Sequence, residues 1–295
     1  MKNNNIFKII RYTGLPFFFR QFIQRKKVTI LLFHSINKAA AEKSFVYLAK
    51  KYNIIALKDF LDAIHNQHKL PERALIITFD DGHISNYDLL PVIKKHHIPV
   101  TIFLCSAIVN TNRHFWFLHE AISGRVAQLK KLSNKERLAV LSENGFTQEL
   151  QFEAPQALNK EQIDVMKKMV DFQSHTMYHP VLPRCNDAEA RIEIFESKQQ
   201  LEEAFQLNIH TISYPNGDYS ERDVQMAKAA GYSCGITVDY GFNTPETDLF
   251  RLKRLSVNDT DDMNELIVKS SGVWAFLKTR NGRRQAYGFS DKTEA

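Results

Sequence analysis

Two adjacent aspartates, Asp80 and Asp81, come directly after an apolar segment, residues 74–79, and before Gly82. The segment is typical of a buried strand, and the active sites of α/β barrels form at the carboxyl ends of the strands. Successive residues that leave a strand point in different directions, so one carboxylate can bind a cation while the other accepts a proton. An ordinary Asp-Asp-Gly turn is the alternative for this motif taken alone.

Two histidines four residues apart, His175 and His179, follow a second extended segment, residues 170–173. Pro180 disfavours a helix at His179, so we expect a tight loop on which both imidazoles can reach one metal ion. Two unrelated surface histidines are the alternative, because the chain has 11 histidines.

Together the two motifs supply two imidazoles and one carboxylate, a three-ligand set that leaves positions open for water and substrate. Zinc lowers the pKa of bound water to about 7, and the second aspartate can accept the proton that this water loses. The combined pattern predicts metal-assisted hydrolysis of an amide or an ester.

Short apolar segments alternate with amphipathic ones, and this alternation predicts the elements that position the two motifs. Helix-start signals, in which a capping residue stands three positions before an acceptor side chain, occur at Asn159, Asn186 and Ser220. The alternation implies an α/β fold with a mainly parallel sheet, and about seven repeats favour a barrel over an open sheet. Residues 110–155 break the alternation and are predicted to be an insertion over one barrel end. We predict strands at residues 28–33, 74–79, 99–104, 170–173, 211–214, 234–238 and 250–257.

The composition is that of an ordinary globular protein. Of the 295 residues, 44% are apolar and 24% are charged, which excludes disordered, collagen-like and coiled-coil classes. The formal charge of +6 is a mild excess on a chain of this length, so we predict no nucleic-acid partner. The three cysteines form no CxxC pair, which argues against a disulfide framework or a structural zinc site and fits a reducing compartment.

The first 27 residues mix aromatic and basic side chains. Lys8, Arg11 and Arg20 interrupt the apolar residues, so we expect no signal peptide and a cytoplasmic location. Residues 6–27 are interpreted as an arm packed on the body, with peripheral contact to the cytoplasmic membrane face as the alternative. We therefore divide the chain into an N-terminal arm, residues 1–27, a barrel domain, residues 28–277, and a polar basic tail, residues 278–295.

The motifs TFDDG, SHTMYH and YPNG, in this order, resemble the polysaccharide deacetylase family (NodB homology, carbohydrate esterase family 4) over about residues 28–270. The resemblance implies a distorted (β/α)7 barrel that removes N- or O-acetyl groups from glycans with a divalent metal, usually Zn²⁺. It also implies that Asp80 is the catalytic base and that the metal ligands are Asp81, His175 and His179.

The third motif of the family, Arg-x-Pro-Tyr, reads here Ser213, Tyr214, Pro215, Asn216. Only the proline matches, so the arginine that would balance the charge of the catalytic aspartate is missing. We predict that Tyr214, Pro215 and Asn216 bind the oxyanion and the substrate, with the backbone N–H near Asn216 as the oxyanion donor. Tyr214 is interpreted either as a wall of the site or as a core residue.

The last motif of the family, Leu-x-His, has no counterpart, because residues 251–257 contain no histidine. His34 is the first candidate for the missing general acid, since it ends the first strand in an aromatic-His pair that resembles many family members. His83 is a second candidate, and Asp239 could line the site. Aromatic residues 115–117 of the insertion could stack on sugar rings or anchor the insertion to the barrel.

The predicted function is therefore a metal-dependent hydrolase that removes acetyl groups from N-acetylated sugars of a surface glycan or its lipid-linked precursor. Two alternatives stay open. The same fold could hydrolyse non-peptide C–N bonds in small cyclic amides. The missing arginine and histidine could instead mark a glycan-binding protein that has lost catalysis.

Overall fold

The structure is a computed structural model that describes residues 2–280. Its eight strands are β1 (Thr29–Phe33), β2 (Asn53–Ile54), β3 (Ala74–Phe79), β4 (Val100–Leu104), β5 (Val170–Ser174), β6 (Thr211–Ser213), β7 (Cys234–Ile236) and β8 (Leu255–Ser256).

The strands form one parallel sheet with the spatial order β7-β6-β5-β4-β3-β1-β8, and β2 pairs with β3 outside this path. Leu252, just before β8, bridges to Ile236 of β7. The backbone N–H of Thr237 donates to the Leu252 carbonyl at 2.9 Å, so the two ends of the path approach each other. Seven parallel strands arranged in this way make the distorted (β/α)7 barrel that the sequence predicts.

Helices stand between most of the strands, in the N-terminal arm and in residues 110–155. They are α1 (Lys2–Tyr12), α2 (Leu15–Phe18), α3 (Lys38–Lys51), α4 (Leu57–His65), α5 (Leu90–His96), α6 (Val126–Leu129), α7 (Asn134–Glu143), α8 (Lys160–Met166), α9 (Asp187–Phe205), α10 (Glu221–Ala229), α11 (Met263–Ser270) and α12 (Val273–Arg280). The predicted capping boxes at Asn159, Asn186 and Ser220 are confirmed, since each side chain accepts from the backbone N–H three residues on. Caps of this kind stabilise a helix by about 1 kcal/mol.

Alternate residues of the strands belong to two apolar layers. In β3, Leu75 and Ile77 pack in the cluster that contains the α3 residue Phe45, whereas Ile76 packs with side chains of other strands, including Phe103 and Ile236. The period of two that a strand imposes therefore divides one apolar segment between the helices and the barrel interior.

The predicted strand at residues 250–257 is wrong over most of its length. Residues 249–251 form a 3-10 turn and only Leu255–Ser256 is a strand. The backbone groups of Lys253 bond to the side chain of Asn243, and the Arg254 N–H donates to the Asp239 carbonyl. These hydrogen bonds take the place of those that a longer strand would form with its neighbour in the sheet.

Residues 110–155 contain α6 and α7 and have an apolar cluster of their own, which includes Trp116, Leu129, Leu141 and Phe146. The guanidinium of Arg137 lies 4.8 Å from the Trp116 ring centroid. The segment is thus packed internally as well as against the barrel.

The N-terminal arm packs on the barrel through α1 and a π-helical turn, Phe19–Ile23. Phe7 and Ile10 contact Val268 and Val273. Among residues 2–280, no helix is long and apolar enough to span a bilayer. The predicted tail, residues 278–295, begins inside α12, and from residue 281 onward it lies outside the described residues.

Candidate active site

The carboxyl ends of neighbouring strands bring the predicted residues to one place. His34 and Asp80 follow Phe33 and Phe79, which are register partners in β1 and β3. His175 follows Ser174, the register partner of Leu104 in β5 and β4. A cavity of about 300 Å³ at this end is lined by Leu32, His34, Asp80, Asp81, Phe117, Lys130, His175, His179, Asn216, Val238 and Ser256.

Asp81, His175 and His179 form a triangle with the spacing of metal ligands. Oδ1 of Asp81 lies 3.6 Å from Nε2 of His175 and 3.5 Å from Nε2 of His179. A tetrahedral zinc ion about 2.1 Å from each ligand atom would hold them about 3.4 Å apart. Asp81 Oδ1 is buried and has no hydrogen-bond partner among the described residues. An orphaned buried oxygen beside two imidazole nitrogens fits a divalent cation.

The two imidazoles are held in different ways. Nδ1 of His175 lies 2.7 Å from the Ser213 carbonyl oxygen, and donation to that oxygen leaves Nε2 free to face Asp81. His179 lies against the Phe117 ring, with the ring centroids 4.6 Å apart. The backbone at Asp81, Thr176 and His179 is left-handed, with φ of 73°, 65° and 57°. This costly conformation clusters at functional sites, where the surrounding structure enforces it.

Glu193 of α9 holds the loop that carries both histidines. Its Oε2 accepts from the backbone N–H of Met177 at 2.8 Å and of Tyr178 at 3.0 Å. Burial raises the pKa of Glu193 to about 7, even though these backbone donors act to lower it. The sequence analysis missed this residue, yet position 193 falls on the same helix face as Ala190 and Ser197, which are also buried.

Asp80 is paired with an arginine that the sequence analysis did not identify. Arg254 donates from Nη1 to Oδ1 at 2.7 Å and from Nη2 to Oδ2 at 2.8 Å. Arg254 Nη2 also donates to Ser213 Oγ at 2.9 Å. Burial by itself raises the pKa of Asp80, but Arg254, with help from His175, outweighs it and holds the pKa well below its usual range. Arg254 thus balances the charge that the absent third-motif arginine leaves uncompensated.

Burial is the main cause of the pKa shifts of Asp81 and His179. Burial raises the pKa of Asp81, against the opposing effects of His34 and His175. Burial, together with His175 and Lys130, lowers the pKa of His179 well below its ordinary value. A neutral His179 is the form that can bind a metal.

His34 stands at the mouth of the cavity, with 45% of its side chain exposed. Its Nδ1 lies 3.8 Å from Oδ2 of Asp259, and its backbone N–H donates to Oδ1 of Asp259 at 3.1 Å. Asn86 donates to the His34 carbonyl at 2.7 Å. Bonds on both sides of the backbone therefore fix the direction in which the imidazole leaves β1.

Of the third-motif residues Tyr214, Pro215 and Asn216, only Asn216 lines the cavity. Asn216 lines the cavity in a left-handed conformation, φ 57°, and its buried Nδ2 has no partner within the described part of the chain. Tyr214 is fully buried, and its ring stacks on Tyr219 with the centroids 5.2 Å apart. Pro215 is also buried and does not line the cavity. For Tyr214 the structure thus favours the core alternative, and for Pro215 the predicted substrate contact is wrong, because the strand end buries both side chains.

The insertion supplies one wall of the cavity. Trp116 Nε1 donates to the carbonyl oxygen of His179 at 2.9 Å, and Phe117 faces the His179 ring. Lys130, which the sequence analysis did not identify, also lines the cavity, and burial lowers its pKa. The aromatic residues therefore anchor the insertion to the loop of the two histidines.

The two remaining candidates do not line the cavity. His83 lies beside it, with Nδ1 2.8 Å from Ser85 Oγ, and Asp239 accepts from the Tyr219 hydroxyl at 3.1 Å.

Comparison with known proteins finds a matching family model and curated relatives, among them the putative polysaccharide deacetylase YxkH of Bacillus subtilis, which is 24% identical over 242 residues that cover 79% of this chain and 72% of that protein. A family model described as polysaccharide deacetylase matches residues 67–235. The poly-beta-1,6-N-acetyl-D-glucosamine N-deacetylase of Staphylococcus epidermidis is 27% identical over 225 residues, which cover 73% of this chain and 64% of that protein.

Solved structures share the fold. IcaB from Ammonifex degensii superposes with a TM-score of 0.62 at 18% identity, covering 84% of this chain and 98% of that one. The Streptococcus pyogenes deacetylase PplD in complex with acetate gives 0.61 at 19% identity, covering 85% and 98%. At these identities the likeness concerns the fold alone.

Proposed function

Since this chain belongs to the polysaccharide deacetylase family, we propose that it is a metal-dependent hydrolase that removes acetyl groups from N-acetylated sugars of a surface glycan or its precursor. One observation carries the proposal. The Asp81–His175–His179 triangle shares a cavity with Asp80, a carboxylate that Arg254 keeps ionised. Ion binding and proton acceptance can thus occur on neighbouring residues.

A divalent cation, most readily Zn²⁺, would be held by Asp81, His175 and His179. Such an ion supplies two kinds of help to amide hydrolysis, because it makes water a stronger nucleophile and polarises the acetyl carbonyl. The donor set of one carboxylate and two imidazoles suits zinc and leaves room for other ligands.

The chain's own residues then handle protons and charge. In the proposal, Asp80 accepts the proton of the attacking water, since it is ionised and next to the triangle, with Oδ2 3.7 Å from His175 Nε2. His34 donates a proton to the leaving nitrogen, and Asp259 lies beside it, with Oδ2 3.8 Å from Nδ1 of His34. The backbone N–H near Asn216, with the unpartnered Asn216 amide, donates to the oxyanion.

The substrate in this proposal is a hexosamine glycan, either a polymer or a lipid-linked sugar. The relative named as a poly-beta-1,6-N-acetyl-D-glucosamine N-deacetylase supports an N-acetylglucosamine unit. The cavity of about 300 Å³ is at the lower end of the volumes of small-molecule sites, which suits one acetylated sugar unit beside the triangle. The cytoplasmic location stays a prediction, which fractionation of cells that make the protein would test.

The alternative of a glycan-binding protein without catalysis rests on the missing arginine of the third family motif and the missing histidine of the last one. Arg254 now pairs with Asp80, and His34 lines the cavity with Asp259 beside it. Both charge balance and a proton donor are therefore available from other parts of the chain, which favours the enzyme.

The proposal is tested by acetate release from poly-β-1,6-N-acetylglucosamine oligomers, with and without a chelator. We expect turnover that the chelator abolishes and that added zinc restores. Asp80→Asn should abolish turnover and leave the zinc content unchanged, whereas His83→Gln, beside the cavity, should keep both. Full activity of Asp80→Asn would refute the assignment of the base, and zinc-loaded protein that bound the oligomer without releasing acetate would favour the non-catalytic alternative.

A further inference from the structure

The N-terminal arm presents an apolar surface that nothing in the described structure covers. Thirteen large hydrophobic side chains are exposed among residues 2–280, and eight of them lie between residues 6 and 23. We call these eight the arm surface: Ile6, Ile9, Tyr12, Leu15, Phe17, Phe18, Phe22 and Ile23. Phe276 of α12 is half exposed and extends the arm surface, because its ring contacts that of Phe19 with the centroids 5.5 Å apart. A concentration of this size marks an interaction site.

The arm is fixed to the body by its opposite face. Phe7 and Ile10 are buried against α11 and α12, and the buried side-chain amide of Gln24 donates to Thr29 Oγ1 at 2.8 Å and to the Ser270 carbonyl at 2.9 Å. Arg20 donates to the Tyr47 hydroxyl at 3.3 Å. The arm surface is therefore an ordered feature, and a partner would not have to bear the cost of folding it.

The charged residues of the arm itself have one sign. The first 41 residues contain no aspartate or glutamate. Lys8, Arg25 and Lys26 are exposed, and Arg11 and Lys27 are partly exposed. Of these, Arg25 pairs with Glu72. Exposed aromatic residues surrounded by cations are the pattern of a segment that lies in the interface of an anionic membrane.

A second copy of the chain fits this surface poorly. A symmetric contact would place each basic arm against the same arm of its partner, and like charges across an interface oppose association. An anionic bilayer offers instead an apolar layer for the aromatic rings and phosphates for the lysines and arginines.

We infer that the arm surface binds the surface of a bilayer that contains anionic phospholipid, with Phe17, Phe18 and Phe22 at the level of the headgroups. The inference is independent of the proposed catalysis, because none of these residues lines the cavity. If both hold, the barrel works while attached to a membrane, where a lipid-linked glycan precursor would be found.

Co-sedimentation of the full chain with vesicles tests the inference. Vesicles of phosphatidylcholine alone should bind weakly, and vesicles that also contain phosphatidylglycerol at least about tenfold more tightly, with salt weakening the difference. The variant Phe17→Ser/Phe18→Ser/Phe22→Ser should lose about tenfold or more of this binding. Leu150→Ser/Val165→Ser/Ile192→Ser is the matched control, because it removes three exposed apolar side chains elsewhere and should bind like the parent.

A charge variant, Lys8→Gln/Lys26→Gln/Lys27→Gln, gives a second readout that does not depend on the aromatic residues. It should lose the preference for phosphatidylglycerol and keep its unfolding temperature. The inference would be overturned if the parent protein did not bind vesicles that contain phosphatidylglycerol, or if the serine variant bound them as tightly as the parent. So would a parent dimer that the serine variant converts to monomer, since a second copy would then be the partner.

Discussion

Arg254 and Asp80 are 174 residues apart in the chain, yet two parallel hydrogen bonds of 2.7 and 2.8 Å join their side chains. Arg254 is fully buried and Asp80 nearly so. A carboxylate in such surroundings would be strongly destabilised without a partner. The fork of the guanidinium therefore does two things, since it keeps Asp80 ionised and fixes the plane of its carboxylate.

Arg254→Lys keeps a positive charge but cannot form the two parallel bonds. Burial raises the pKa of Asp80, and a lysine would oppose this rise less strongly than Arg254 does. The acidic limb of the pH profile of kcat/KM should therefore move to higher pH. We expect kcat to fall by about tenfold or more. Arg251→Lys is the matched control, because Arg251 pairs with Asp248 and Glu221 away from the cavity. An unchanged acidic limb in Arg254→Lys would contradict this role.

Glu193 should make stability depend on pH. Its pKa is raised from 4.5 to about 7, so between these values the folded protein keeps a proton that the unfolded chain releases. The free energy of unfolding should therefore fall as pH rises through this window, by up to about 3 kcal/mol. Asp218, whose pKa burial also raises to about 7, adds a contribution of the same sign.

Glu193→Gln keeps an oxygen that can accept from Met177 and Tyr178 but cannot ionise. In this variant the free energy of unfolding should fall only about half as much as in the parent between pH 4.5 and about 7. Denaturant unfolding of metal-free protein at both ends of this pH range measures the difference. Glu196→Gln changes an exposed glutamate of the same helix and should behave like the parent. The idea fails if Glu193→Gln shows the full decline.

Zinc should stabilise the folded protein, because Asp81 Oδ1 is buried without a partner in the described structure. A ligand at a hundred times its Kd adds about 2.7 kcal/mol. Asp81→Asn should lose most of the rise in Tm that zinc produces and most of the bound zinc, as measured by thermal unfolding and elemental analysis. Asp239→Asn, outside the cavity, should retain both. Equal zinc affinity in Asp81→Asn and the parent would exclude this site.

His34→Gln should lower kcat by about 10²–10⁴-fold, the range for loss of a general acid. Zinc content should not change, because His34 is not part of the triangle. Asp259→Asn should cause a smaller loss, since it removes only the carboxylate 3.8 Å from Nδ1. Both effects are measured by steady-state acetate release. A His34→Gln variant with normal kcat would return the role of general acid to another group.

The sequence predicts the part of the site that short motifs carry. Asp80 and Asp81 follow six consecutive buried residues, so their place at a strand end is a local property. The pair of histidines behaves in the same way after β5. For Asp80 and His175, which directly follow their strands, the side-chain direction follows from the strand, whereas His179 depends on the loop that Glu193 holds.

Arg254 could not be placed from the sequence, because it stands in an irregular segment before a strand of two residues. No periodicity tells which way its side chain points, and its partner comes from a distant part of the chain. Lys130 raises the same difficulty, since the insertion has no repeating pattern that relates it to the barrel. Such residues are set by tertiary packing, which local patterns do not encode.

The strand order puts β1 between β3 and β8, so His34 and Arg254 enter the site from opposite ends of the chain. Both lie outside the span that matches the family model, residues 67–235, whereas Asp81, His175 and His179 lie within it. A fragment trimmed to that span would contain the three residues of the triangle but would lack Arg254, which pairs with Asp80, and His34, the proposed proton donor. The smallest unit that could carry out the proposed reaction is thus longer than the span that the family model recognises, because the residues at both ends of the sheet complete the site.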